Sequence, residues 1–122
     1  MITKKEQLTA LVITYNELGY IEKCIESVSF ADEIIVVDSF STDGTFEYLE
    51  NHPKVKVIQN TFENFTAQKS FALKQATNDW VLFLDADEIV SDSLQLEISE
   101  TVSSDTEIAA FWFYRQFMFK NE

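Results

Sequence analysis

At 122 residues, 46% hydrophobic and 25% charged, the chain has the composition of one folded domain, which excludes a disordered segment or a multidomain array. Nine basic residues against twenty-one acidic ones give a net charge of -12, so nucleic-acid backbones and anionic headgroups are repelled and no nucleic-acid partner is expected. No apolar run approaches the ~20 residues of a membrane span and no amino-terminal stretch reads as a signal peptide, so the expected location is cytoplasmic.

Leu8 to Thr14 is apolar and rich in β-branched residues, and Tyr15-Asn16-Glu17 then turns polar, which predicts a buried strand and its carboxyl-terminal loop. Leu18, Ile21, Ile25 and Val28 recur at helical spacing with Glu22, Lys23 and Glu26 opposite, so a helix follows with one side on the sheet. Within it, the single Cys24 forms no internal disulfide and reads as a small buried side chain rather than a nucleophile. Glu33 to Val37 is a second apolar strand ending at Asp38. Ser39-Phe40-Ser41-Thr42-Asp43-Gly44-Thr45 then supplies loop and cap residues before a short helix through Glu50.

His52 precedes Pro53 and reads as a loop residue, after which Val55 to Ile58 makes a third strand. Phe65 to Ala76 reads as a helix with Phe71, Leu73 and Ala76 partly inward. Trp80 to Leu84 is a fourth strand, and Ser91 or Asp92 caps a helix whose apolar positions include Leu94, Ile98 and Val102. Strands and helices alternating in this way need right-handed crossovers, which predicts an α/β fold, mainly parallel, with helices on both faces. Ala109 to Phe119 reads as one strand dense in aromatics, close to the chain end. A strand so placed suggests truncation, and a dimer or larger oligomer is expected to cover its apolar area.

The run Trp80-Val81-Leu82-Phe83-Leu84-Asp85-Ala86-Asp87-Glu88 carries an apolar strand abruptly into carboxylates spaced two apart. On an extended backbone Asp85 and Asp87 project the same way, roughly 6.6 Å apart, and one hydrated divalent cation bridges them. In a parallel sheet, Thr14-Tyr15-Asn16-Glu17, Asp38 and Asp85-Ala86-Asp87 share the carboxyl edge, where open α/β sheets bind ligands. Their convergence predicts a pocket with hydrogen-bond acceptors on one side and a cation site on the other, which suits a nucleotide diphosphate. Gly19 and Gly44 belong to no glycine-rich phosphate loop, so dinucleotide and P-loop chemistry are disfavoured. The diphosphate would be held through Mg²⁺ or Mn²⁺, because two like charges 4 Å apart cost about 4 kcal/mol at an effective dielectric near 20.

LVITYNE (11–17), the helix bearing Cys24-Ile25-Glu26-Ser27-Val28, EIIVVDSFSTDGT (33–45), NFTAQKSFALKQA (64–76) and DWVLFLDADE (79–88) together resemble the amino-terminal part of family 2 glycosyltransferases of the GT-A fold. FADEIIVVDSFSTDGT and LDADE look most like bacterial enzymes that add a sugar to lipopolysaccharide core or related surface glycans. The resemblance implies a three-layer, Rossmann-like nucleotide-binding half. It also implies a single domain over residues 1–122 that lacks the acceptor-binding, carboxyl-terminal part. The activity implied is inverting, metal-dependent transfer from a nucleotide diphosphate sugar, UDP-sugar favoured, to a glycan or lipid-linked acceptor. The full-length protein would work at the inner face of the membrane.

Carried onto this sequence, the resemblance implies that Thr14 and Tyr15 flank the nucleotide base and that Glu17 and Asp38 contact the nucleoside. Asp85 and Asp87 would form the DxD motif, Asp87 on the metal and Asp85 facing either the ribose or the metal's water shell, with Glu88 behind them. Gln68 and Lys69 match a helix position bordering the donor pocket, where Lys69 either offsets base or phosphate charge or is a solvated helix lysine. Thr42, Asp43 and Gly44 shape the loop. The family's general base comes from a later segment that this chain does not include, and Glu100, Asp105 and Glu122 read as surface charges, so the catalytic residue is unassigned.

Two other classes fit parts of the pattern. A sugar nucleotidyltransferase is also α/β and Mg²⁺-dependent, but that class resembles a glycine-rich, arginine-containing loop after the first strand, where this chain reads Tyr15-Asn16-Glu17-Leu18-Gly19. A receiver-like signalling domain clusters aspartates around Mg²⁺, but sets its acidic pair after the first strand.

Overall fold

The computed structural model describes residues 7–103 in full, and 110–113 and 116–120 by their backbone. In chain order it contains β1 (Leu8–Thr14), α1 (Ile21–Ser27), β2 (Glu33–Asp38), α2 (Thr45–Glu50), β3 (Val55–Gln59), α3 (Phe65–Gln75), β4 (Trp80–Asp85), α4 (Asp92–Ser103), β5 (Ala110–Phe113) and β6 (Gln116–Lys120). The strands form one sheet in the order β3-β2-β1-β4-β6-β5. β3, β2, β1 and β4 run parallel, and β6 and β5 add antiparallel to the β4 edge.

Alternation along each strand divides the core. Leu8, Ala10 and Val12, Ile34 and Val36, and Trp80, Leu82 and Leu84 point one way and pack with Ile21, Cys24 and Ile25 of α1, Leu49 of α2, and Ile98 and Val102 of α4. Leu11, Ile35, Val37 and Val81 point the other way onto α3, where Ala72 is buried and Phe71, Leu73 and Ala76 are half-buried. Helices thus cover both faces, giving the α/β/α layers expected of near-continuous apolar strands.

Three sequence expectations need correcting. α1 starts at Ile21 rather than Leu18, because Gly19 adopts φ +99° and Glu17 O accepts from Tyr20 N and Ile21 N, a turn that leaves Leu18 exposed. The strand after Trp80 includes Asp85 and stops there, so Asp87 is not on the extended backbone assumed for it. The aromatic segment holds two strands, not one: β5 and β6 pair antiparallel as a hairpin, and β6 pairs with β4 as well. The hairpin's side chains, and with them the expected self-association, lie outside the described residues, as do Asp105 and Glu122. Glu100 is exposed on α4. Among the described residues no helix is long and apolar enough to cross a membrane.

Glu33, at the start of β2, fastens the opposite end of the sheet by accepting from Thr9 Oγ1 (2.7 Å), Thr77 N (2.9 Å) and Thr77 Oγ1 (2.9 Å). Burial alone would raise its pKa, but these hydrogen bonds, helped by Lys56, hold it below the usual 4.5. Because the unfolded chain lacks them, the ionised carboxylate adds stability above the ordinary carboxylate range that is lost as pH falls through the lowered folded value. Glu33→Gln is therefore expected to cost about 1 kcal/mol at neutral pH, with allowance for partial solvent exposure, and less in acid. Urea unfolding of both proteins across that range checks this; a pH-independent difference would contradict it.

Candidate functional site

Because β1 lies between β2 and β4, the connections leave it in opposite directions and a crevice opens at the carboxyl ends of β1 and β4. Register sets Thr14 beside Asp38 and Ile13 beside Asp85, so the three strand ends finish at nearly one level. Over them lies a cleft of about 600 Å³. Ile13, Thr14, Tyr15 and Glu17 line it from β1 and its loop, and strand order sets Asp85, Ala86 and Asp87, after β4, to one end and Ser39, Phe62 and Phe65, after β2 and β3, to the other, with Tyr15 between.

The loops that bear these residues are tied to each other. Asn16, at φ +50°, donates its N–H to Ser41 Oγ (2.8 Å), and its Oδ1 accepts from Thr42 N (2.8 Å). Glu17 N donates to Thr45 Oγ1 (3.1 Å), and Leu18 N to Asp43 Oδ2 (3.2 Å). Asp43 also accepts from Thr45 N and Thr45 Oγ1, while Gly44 enters α2 at φ +102°, a backbone that disfavours other residues. Asp43 and Gly44 thus shape the loop. These bonds are made before any ligand arrives, so little ordering remains to oppose binding.

The β4 end is acidic. After Asp85 the chain turns instead of extending, because Glu88 Oε1 accepts from Asp85 N (2.8 Å) and Asp85 O accepts from Glu88 N (3.0 Å). Cys24 Sγ donates to the same carbonyl at 3.6 Å, which pins the strand end to α1. The turn buries Ala86 and leaves Asp85 and Asp87 exposed in one cleft, so the pair predicted from alternation is brought together by a turn. Glu17 has a raised pKa, from partial burial first and then from repulsion by Asp87, Asp43 and Asp85. Burial, with Glu88, Asp87 and Asp85 nearby, pushes the Cys24 thiol up to about 12, so it is un-ionised at neutral pH and structural, as its sequence position suggested.

Among the described residues no three histidine, cysteine, aspartate or glutamate groups converge on one point. Asp85 and Asp87 therefore offer a partial, all-oxygen ligand set. That fits Mg²⁺ or Mn²⁺, which keep several waters and share phosphate oxygens, and does not fit a structural zinc site.

The other end is aromatic. Tyr15, Phe62 and Phe65 are 56%, 43% and 65% exposed, and rings this open beside a cleft mark a surface for a flat ligand rather than core. Phe62 and Phe65 meet edge to face, centroids 5.2 Å apart, at the entry to α3, which Asn64 caps through Ala67 N. Thr14 is 2% exposed, lines the cleft, and its Oγ1 has no hydrogen-bond partner.

Of the residues singled out from sequence, Thr14, Tyr15, Glu17, Asp85 and Asp87 line the cleft. Asp38 and Lys69 do not. Asp38 shares the parity of Ile34 and Val36 and is fully buried, its carboxylate accepting from Ser41 N (2.9 Å), Ser41 Oγ and Gln59 Nε2 (3.4 Å). These bonds span Phe40, which sits at φ +61°, costly for a bulky side chain. Lys69 lies one helical step from the buried Gln68, which turns it outward, and its Nζ stands 6.0 Å from the Phe83 ring centroid. Among the described residues, none that lines the cleft is basic.

Residues 9–122 match the sequence profile of the family described as Glycosyl transferase family 2. The chain belongs to that family. It is 45% identical over 105 residues to an uncharacterized glycosyltransferase of Rickettsia bellii, covering 85% of this chain and 35% of that protein. It is 34% identical over 111 residues to the lipopolysaccharide core biosynthesis glycosyltransferase LpsC of Rhizobium meliloti, covering 88% of this chain and 41% of that one. The chain thus spans between a third and about two-fifths of these relatives. The mannosyltransferase PcManGT of Pyrobaculum calidifontis, solved with GDP-mannose and Mn²⁺, superposes with a TM-score of 0.75 at 20% identity over 97% of this chain and 45% of its own, which places the fold among GT-A glycosyltransferases.

Within this family 2 glycosyltransferase chain, Ile13, Ser39, Phe62, Phe65 and Ala86 line the cleft without having been assigned to the ligand from sequence. The signal for the two rings was present: aromatic residues flanking the helix cap Asn64, off any apolar periodicity. Ser39 carried no such signal. Family membership leaves the nucleotidyltransferase and receiver-like readings with no observation in their favour.

Proposed function

We propose that this chain is the donor-binding part of an inverting, metal-dependent glycosyltransferase that moves a sugar from a nucleotide diphosphate sugar to a glycan or lipid-linked acceptor. The observation that carries the reading is one cleft with exposed aromatic rings at one end and two exposed aspartates at the other, with no basic residue among the described ones that line it. The rings suit a base, and the unpartnered Thr14 Oγ1 suits a polar ligand atom. The carboxylates suit a diphosphate only with a cation between. GDP-mannose and Mn²⁺ in the P. calidifontis enzyme support this division.

A bound Mg²⁺ or Mn²⁺ would neutralise the charge that grows on the diphosphate as the sugar leaves. Asp87 would ligate the metal directly, and Asp85 would hold either the metal's water shell or the ribose. Tyr15, Phe62 and Phe65 orient the nucleotide, and the tied loops keep Glu17 near the acidic end. The acceptor hydroxyl would attack the anomeric carbon from the face opposite the diphosphate, giving inversion, and its proton would pass to a carboxylate acting as general base. The likeness to LpsC supports an acceptor of the lipopolysaccharide or surface-glycan class, met on the cytoplasmic side of the membrane.

A nucleoside diphosphate at about 100 times its dissociation constant should add about 2.7 kcal/mol of stability. UDP or a related diphosphate is expected to raise the unfolding temperature with Mn²⁺ and not with EDTA. Equal stabilisation in EDTA would overturn the metal's part in the reading.

A further inference from the structure

We propose that Glu88 is a positioning residue for the cation site: its side chain closes the turn after β4 in place of the aspartates, so that both of their carboxylates stay available to one ion. The inference rests on the donor-site reading above and deepens it. An aspartate that begins a turn ordinarily closes it with its own carboxylate, which accepts from a backbone N–H two or three residues on. Asp85 does not. The N–H of Glu88 goes to the backbone oxygen of Asp85 (3.0 Å), and the N–H of Asp85 goes to Oε1 of Glu88 (2.8 Å). This is the half of a capping box in which the fourth residue reaches back to the first, formed without the half that would occupy the first residue's side chain. Neither Asp85 nor Asp87 accepts a hydrogen bond on its carboxylate from the described residues, and both are exposed in the cleft.

Helix α1 fixes the ends of this segment. Cys24 Sγ donates to Asp85 O (3.6 Å), and Val90 N donates to Ser27 Oγ (3.0 Å), whose hydroxyl is held on Cys24 O (2.7 Å). Between those ties, among the described residues, the turn is closed by the two bonds that join Asp85 and Glu88. Without the Glu88 side chain the Asp85 N–H loses its acceptor, and the aspartates become the local groups able to cap the turn. A carboxylate engaged in that way is lost to a cation.

What the turn needs from residue 88 is reach, not charge. The accepting atom is a single oxygen, and the amide oxygen of a glutamine of the same length serves as well. An aspartate keeps the charge but is one methylene too short for the same bond. The two properties can therefore be separated by substitution.

The test is calorimetric titration of UDP into the full chain at a series of Mn²⁺ concentrations and physiological salt, for the parent, Glu88→Ala, Glu88→Asp and Glu88→Gln, with urea unfolding of each. The Mn²⁺ concentration that half-saturates UDP binding is expected to rise about tenfold or more in Glu88→Ala and Glu88→Asp, the range found when the partners of metal ligands are removed. In Glu88→Gln it should stay within about threefold of the parent, since salt screens the contribution of the lost charge. A purely structural role would lower stability and leave the Mn²⁺ requirement unmoved. A role through charge, or as a direct ligand, would spare Glu88→Asp and spoil Glu88→Gln. Either result overturns the inference, as does failure of both Glu88→Ala and Glu88→Asp to fold; if one of them folds, it decides. A parent protein that binds UDP without Mn²⁺, or not at all, overturns the donor-site reading and this inference with it.

Discussion

Asp87→Ala is expected to abolish metal-dependent stabilisation by a nucleoside diphosphate while leaving the unliganded protein folded. Asp87 is exposed, lies in the turn after β4, and makes no hydrogen bond within the described residues, so its removal opens no cavity and orphans no partner. It also removes the largest like-charge contribution to the raised pKa of Glu17, so the unliganded variant should be at least as stable as the parent. What is lost is one of two carboxylates in a partial ligand set, and with it the cation charge that makes an anionic diphosphate tolerable in a cleft with no basic side chain among its described lining. At a nucleotide concentration near 100 dissociation constants the loss is about 2.7 kcal/mol, a shift of roughly 10 °C for a domain of this size. Thermal unfolding with and without Mn²⁺ and UDP checks both halves. A variant that keeps the full shift would remove Asp87 from the site.

Asp38→Ala is expected to cost about 2 to 4 kcal/mol of folding stability before any ligand is considered. The carboxylate is fully buried, and truncating it strands Ser41 N–H, Ser41 Oγ–H and the Gln59 amide. The loop it spans holds Phe40 left-handed, and Ser41 in turn bonds Asn16, so the damage should spread to the loop carrying Tyr15 and Glu17. Against a typical stability of about 5 to 15 kcal/mol this is a large fraction. Urea unfolding of the unliganded protein measures it. A variant of unchanged stability that no longer binds nucleotide would return the Asp38 carboxylate to direct contact with the nucleoside, the role implied by resemblance.

Asp38 also shows what the sequence made legible and what it did not. Apolar runs ending in polar residues marked β1 to β4 and, through their shared carboxyl edge, the elements that build the cleft. Periodicity of two along β1, β2 and β4 was enough to divide the core between the helices on each face. Direction at a strand end was harder, because it depends on one residue of parity and on what the loop does next: Asp38 turns under the sheet while Ser39 faces the cleft. Asp85 and Asp87 reach the same cleft, but through a turn closed by Glu88 rather than through an extended backbone. Gly19 displaced the start of α1, a local conformational cost that helical spacing at Leu18 and Ile21 does not register. A hydrogen bond from Gln68 Nε2 to Ser39 Oγ joins residues far apart in the chain, and no local pattern encodes it.

The central claim is that a cation held by Asp85 and Asp87 joins an anionic donor to an acidic cleft. It is tested most directly by the anomalous scattering of manganese in crystals grown with UDP and Mn²⁺. The account predicts a manganese peak in contact with a carboxylate oxygen of Asp87 and with the diphosphate, the base lying toward Phe62 and Phe65. Diphosphate bound in the cleft with no manganese between it and these aspartates would contradict it.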